Sequence, residues 1–108
     1  MTNWQVFMTD TAKRDLREIA LSIYDQSGDS DIAASFVAAL REKCLALESY
    51  PERGAIPKDY VLKALGYHYL VYQHYLIFYL TDESERRVSI HAFFSEKQDY
   101  FRYMRKRI

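Results

Sequence analysis

Hydrophobic and polar positions change rhythm along the chain. In "WQVFMT" (4–9) they alternate: Trp4, Val6 and Met8 fall on one side and Phe7 on the other, which predicts a short strand. Over residues 10–26 the spacing becomes helical. Ala12, Leu16, Ile19, Ala20, Ile23 and Tyr24 form one apolar stripe, with Lys13, Arg14, Arg17 and Glu18 mostly outside it. Thr9 or Asp10 offers a capping oxygen, and Gly28 stops the helix. A second stripe, Ala33, Phe36, Val37, Leu40, Cys44 and Leu47, predicts a helix over about 31–49, opened by Asp29 or Ser30 and ended by Pro51. Two helices joined by so short a turn form an antiparallel hairpin.

"PERGAIPKDY" (51–60) holds both prolines and a glycine and reads as an ordered loop, with Gly54 supplying a positive φ. The period then drops to two. "YVLKAL" (60–65) reads as a short strand. In "YHYLVY" (67–72), Tyr67, Tyr69 and Val71 oppose His68, Leu70 and Tyr72. "HYLIFYLT" (74–81) is a second two-faced strand, and "DESERR" (82–87) a polar hairpin loop. "VSIHAFF" (88–94) closes the set, with Val88, Ile90, Ala92 and Phe94 on one face and Ser89, His91 and Phe93 on the other. Ser95 and Gln98 match a capping box, predicting a terminal helix over about 96–106. The order is β-α-α-β-β-β-α. Helices early and strands late predict an α+β domain over 1–108: an antiparallel sheet of three to five strands packed on an N-terminal helical hairpin, with a short C-terminal helix. One row of the aromatic run 66–80 is expected to pack on Leu16, Ile19, Ile23, Phe36, Val37 and Leu40. The other row must meet the terminal helix, a partner or water.

Composition narrows the function classes. The 108 residues carry 15 basic and 15 acidic side chains, which argues against broad contact with phosphates. Charge is uneven, because residues 96–108 hold Lys97, Arg102, Arg105, Lys106 and Arg107 against Glu96 and Asp99. Cys44 is alone and sits in an apolar stripe, which fits a buried thiol in a cytoplasmic protein. The opening lacks a basic segment followed by a long apolar run, and no uncharged apolar stretch reaches the roughly 18–20 residues that span a bilayer. No membrane association is expected.

Four phrases carry a resemblance. "TDTAKRDLREIALSIYD" is similar to a T-x-x-A-x-x-D-L-x-x-I opening helix, and "LESYPERG" to an L-x-x-x-P-x-x-G turn. "HYLIFYLTD" resembles a Y-x-I-x-Y central strand, and "VSIHAFFSEKQDY" a closing strand with its R-D-Y end. In this order and spacing they resemble the RelE/ParE superfamily, the toxins of bacterial type II toxin–antitoxin pairs. The resemblance implies a cognate antitoxin that wraps and neutralises the chain, with assembly of two toxins and two antitoxins as one form. RelE-like members cut messenger RNA on the ribosome; ParE-like members bind DNA gyrase without chemistry of their own. No cofactor is implied.

Cleavage of RNA by its 2′-hydroxyl needs a proton acceptor, cations at the phosphate and an acid for the leaving oxygen. The chain departs from the nuclease pattern at the expected cations, where Leu76 follows the strand tyrosine and Phe93, Phe94 and Ser95 end the last strand. The remaining candidates for such chemistry are Lys63, His68, Lys97, Tyr100 and Arg102, with His74 and His91 beside them. Each has a plainer reading, as core, surface or helix-end residue. No Cys-x-x-Cys or His-x-x-x-His spacing supports a metal. Arg53, Lys97, Arg102 and Arg105 are the candidates for target contact. The reading favoured here is a ParE-like toxin acting by binding. The alternatives are a ribosome-dependent endoribonuclease with a rearranged site and a non-toxic, antitoxin-bound remnant.

Overall fold

A computed structural model describes residues 3–108. Strand β1 (Gln5–Met8) leads into helix α1 (Asp10–Ser27), and helix α2 (Ser30–Leu45) returns. Both helices start where a side chain satisfies backbone donors: Thr9 accepts from the Ala12 amide, Asp29 from those of Asp31 and Ile32. Gly28, at φ 69°, takes the left-handed conformation that ends α1. A 3-10 turn (Ala46–Glu48) extends α2 to the loop at Pro51.

Residues 60–64 are helical, not extended: helix α3 (Tyr60–Ala64) is capped by Asp59, whose carboxylate accepts from the Val61 and Leu62 amides. Its apolar residues Val61, Leu62 and Leu65 imitate a strand only in a window too short to fix a period. Strands β2 (His68–Tyr72), β3 (Tyr75–Asp82) and β4 (Arg87–Ser95) follow. The sheet has four strands in the order β1-β4-β3-β2. The three late strands are antiparallel, as expected, and β1 joins β4 in parallel at one edge.

The hairpin covers one face. Leu16, Ile19, Leu40, Cys44 and Leu47 pack with Leu70, Ile77, Tyr79, Val88, Ile90 and Phe93, and Phe36 wedges against Tyr72 and Tyr75. The second face is covered by α3 and by helix α4 (Tyr100–Arg105): Leu62 and Met104 pack on Leu76, Phe78, Ala92 and Phe94, with Tyr100 and Phe101 at the side. This answers where the second aromatic row goes. Burying each such side chain contributes about 1.5–3 kcal/mol.

Strict alternation fails in β4. Phe78 pairs with Ala92 and Tyr79 with Ile90, so His91 is an extra residue and the strand bulges there. Val88 and Ile90 therefore face the hairpin, while Ala92 and Phe94 face α3 and α4, and Phe93 moves to the hairpin side. The expected common face for Val88, Ile90, Ala92 and Phe94 does not exist. The capping box also closes something smaller than a helix. The Ser95 amide donates to Gln98 Oε1 at 2.9 Å and the Lys97 amide to Ser95 Oγ at 3.2 Å, but this makes one turn, and α4 starts afresh with Asp99 as its cap.

Candidate functional site

Helix α4 is only six residues long, and charges on two sides hold it. On one side Arg105 pairs with Asp59, at 2.5 Å, so the cap of α3 is also the latch for α4. The Arg105 hydrogen bond is the main reason that the Asp59 carboxyl is held below the usual carboxylate range; the Leu62 and Val61 amides add to it. On the other side Arg107 forks onto Asp15 of α1, with Nη1 2.7 Å from Oδ2 and Nη2 2.8 Å from Oδ1. Asp15 also accepts the Phe93 amide, at 3.0 Å, and Arg107 donates to the His91 carbonyl at 3.3 Å. The ion pair thus ties α1, the strand just past the bulge and the C-terminal end into one knot. The Asp15 side chain is buried, a setting in which a charge is stable only when paired and hydrogen-bonded.

Two of the five cations in 96–108 are therefore structural. Of the candidate target contacts, Arg105 belongs to a latch, while Lys97 and Arg102 are exposed. Arg53 donates to the Ala46 carbonyl at 3.2 Å and the Tyr50 carbonyl at 3.3 Å, holding the loop after the hairpin. The candidates for RNA chemistry do not converge. Lys63 is exposed on α3, and Tyr100 packs on Phe101 and Phe78 over the second face. His68 lies on β2, stacked on Tyr79 with ring centroids 5.6 Å apart. The β2–β3 turn places His74 2.7 Å from Glu96. Of the three histidines, His91 stands on the α3–α4 side of the sheet, edge-on to Tyr67 and with Nε2 2.9 Å from Ser89 Oγ. Burial holds its imidazole below the ordinary histidine range. The sheet face under α3 and α4 is filled by buried Tyr67, Phe78 and Phe94, with Tyr69, Tyr100 and Phe101 partly buried against them.

Among the described residues no group of His, Cys, Asp and Glu is arranged to hold a metal, and no helix is long and apolar enough to cross a membrane. Helix α2 carries apolar residues on both sides. Ala33, Leu40 and Cys44 are buried, yet Ile32 (51% exposed) and Leu45 (49%) face outward. A helix apolar on two sides is built to be covered on both. Ile32, Phe36 and Ala39 line a groove with Tyr72 beside the free side of β2, whose backbone is met there by a single bridge, Ala55 to Tyr69.

Residues 6–100 match the model of the family described as the ParE toxin of the type II toxin–antitoxin system parDE. The chain belongs to this family. Solved structures share the ParE-like fold. The RelBE2 toxin–antitoxin complex from Mycobacterium tuberculosis aligns at TM-score 0.64 and 23% identity, over 86% of this chain and 98% of that one. The chromosomal ParDE toxin–antitoxin system of P. aeruginosa aligns at TM-score 0.70 and 17% identity, over 85% and 95%. No curated protein sequence matches.

In this ParE-family chain the phrases of the resemblance are packing devices. Thr9 caps α1, Ala12, Leu16 and Ile19 are buried, and Asp15 receives Arg107 and the Phe93 amide. Leu47 is buried, and Gly54 lies against Tyr79 of the Y-x-I-x-Y strand. Asp15 was missed as a key residue. Its signal was present: a carboxylate between Ala12 and Leu16 on a stripe that is otherwise apolar.

Proposed function

We propose that this chain is a toxin neutralised by a cognate antitoxin, and that it acts by binding a macromolecular target, with DNA gyrase the favoured one, and not by cutting RNA. The observation that carries this reading is that the candidate catalytic groups do not converge on one point. Chemistry on a phosphate needs cations and a proton acceptor aimed at one point. The sheet face under α3 and α4 is packed aromatic core, Arg105 and Arg107 are paired with Asp59 and Asp15, and Lys63, Lys97 and Arg102 are exposed on separate segments. Target contact then falls to Lys97, Arg102 and Lys106, the exposed cations of the 96–108 segment that make no ion pair among the described residues. The RNA-cleaving alternative has one observation on its side, the half-buried His91 beside Ser89 at the bulge.

The groove of Ile32, Phe36, Ala39 and Tyr72 suits the apolar face of an antitoxin helix, the helix-in-groove mode of recognition. The solved neighbours come from toxin–antitoxin systems, which supports such a partner. The test is expression of the chain with and without the small protein encoded beside it, read by growth, plasmid supercoiling and global RNA cleavage. Growth arrest with altered supercoiling and intact RNA, relieved by the neighbour, is the expected result. Cleaved messenger RNA would place the chain with the nucleases, and unimpaired growth would make it a remnant.

A further inference from the structure

Helices α3 and α4 cover the second face of the sheet over Leu76, Phe78, Ala92 and Phe94. Further along that face, Phe7, Ser89 and Leu80 are register partners across β1, β4 and β3, and they line an open cleft of about 450 Å³. Phe7 is 41% exposed there, and Ser89 and Leu80 are half-buried. Arg87 lies over the Phe7 ring, 4.7 Å from its centroid, and is the one cation among the described residues of the lining; Asp82 and Glu83 line the cleft too. The bulge sets His91 beside this row, as a bulge re-aims a side chain that regular alternation would hold apart. Its Nε2 is 2.9 Å from Ser89 Oγ, and the buried Tyr67 braces the ring edge-on, with centroids 5.6 Å apart. Burial keeps the imidazole below the ordinary histidine range, so at neutral pH it is the uncharged base. A hydroxyl with a neutral imidazole on one side and an open cleft on the other has the arrangement of an activated nucleophile.

We propose that Ser89 is a covalent acyl acceptor, with His91 as its general base and small uncharged carboxylic esters as the substrate class. With the ring proton on Nδ1, His91 Nε2 takes the Ser89 hydroxyl proton as Oγ attacks the ester carbonyl. The carbonyl electron pair moves to oxygen, where Arg87 is the cation within the cleft that can stabilise it. Collapse expels the alcohol, which leaves with the proton from His91 and an acyl group on Ser89. Water, deprotonated by the same imidazole, then releases the carboxylic acid and restores the hydroxyl. An uncharged ester fits because two carboxylates and one cation line the cleft, which disfavours an anion, and Phe7 and Leu80 offer apolar support to the acyl group. The site does not rest on the toxin reading, since neither the α2 groove nor the exposed cations of 96–108 line this cleft. It also differs from nuclease chemistry, because the hydroxyl at the imidazole is the protein's own.

The probe is para-nitrophenyl acetate, mixed with the purified full chain and followed by nitrophenolate release and by mass spectrometry of the acetylated peptides. Acetyl is expected on Ser89 ahead of any lysine, with a burst of nitrophenolate that Ser89→Ala abolishes. His91→Gln can keep a hydrogen bond to Ser89 but not act as a base, and should slow acetylation about a hundredfold or more. Arg87→Met should slow it about tenfold or more. In the unaltered chain the rate should fall with acid through a midpoint below the ordinary histidine value of about 6.5, as His91 takes up its proton. The charged groups around the pair are Arg87, Asp82 and Glu83 in the cleft and Arg107 at the His91 carbonyl. Asp82 is held below the usual carboxylate range, chiefly by the Ser84 hydroxyl, so it stays ionised through that midpoint. The proposal is overturned if acetyl goes to lysines or tyrosines and not to Ser89, or if urea-unfolded chain labels Ser89 as fast as folded chain. A burst that survives Ser89→Ala overturns it by making His91 itself the nucleophile. Labelling unchanged in His91→Gln, or a rate flat with pH in the unaltered chain, overturns it by leaving the pair a hydrogen bond alone.

Discussion

The Gly54 amide donates to the Tyr79 hydroxyl at 3.0 Å, joining the loop after the hairpin to the middle of the sheet. Gly54 is a glycine for lack of space, and the positive φ expected from its turn-like sequence is not found; the positive-φ glycines are Gly28 and Gly66. A Cβ there would collide with the Tyr79 hydroxyl and come within 2.9 Å of the Tyr69 carbonyl oxygen. Gly54→Ala should destabilise the protein by about 1–3 kcal/mol through overpacking. Tyr79→Phe should cost about 1 kcal/mol by leaving the amide without its acceptor. Urea unfolding of the two single variants measures both, and a neutral Gly54→Ala would disprove the close approach.

Asp15 and Arg107 form the second test. Asp15→Ala leaves the Phe93 amide without its acceptor, while the freed Arg107 side chain can reach water, so the loss should be about 1–3 kcal/mol. Arg107→Met should detach the end of α4 as well, because Asp15 then has only the Phe93 amide. Limited proteolysis is the direct readout: cleavage within 96–108 should accelerate in Arg107→Met while the hairpin stays resistant.

The Asp59–Arg105 latch predicts a pH dependence. The folded-state pKa of Asp59 is lowered, chiefly by Arg105, so its contribution to stability is fully present above the ordinary aspartate value. That contribution is lost as pH falls through the ordinary value, about 3.9, toward the lowered one. Stability measured from neutral to acid pH should fall less steeply in Asp59→Asn than in the unaltered chain. Identical slopes would mean that the latch does not form in solution.

Burial raises the Cys44 thiol to about 12, against a weaker opposing pull from Arg41. The thiolate is the reactive form, so the native protein should resist alkylation at neutral pH and react only as it unfolds. Alkylation rates with and without urea, followed by mass spectrometry, check this.

The helical hairpin and the two-faced strands were legible because burial imposes their periods on the sequence: Leu16, Ile19, Leu40 and Leu47 announce one face, and Tyr75, Ile77 and Tyr79 another. The run Ala92-Phe93-Phe94 is apolar in both phases, so the bulge at His91 left no mark in the alternation. Helix α3 was too short to show its period. The knot at Asp15 depends on a partner 92 residues away, and no local pattern points from Arg107 to α1. The candidate site suffered most from this. Sequence alone grouped Lys63, His68, Lys97, Tyr100 and Arg102 by chemistry, and only coordinates show them on separate segments and faces.

The central claim is that the chain acts by binding and lacks a nuclease centre. The most direct measurement incubates the purified protein with a translating ribosome extract and, separately, with DNA gyrase and relaxed plasmid. The account predicts full-length messenger RNA in the first reaction and impaired supercoiling in the second. Messenger RNA cut within the coding region, with cleavage lost in His91→Ala or Lys97→Ala, would contradict it.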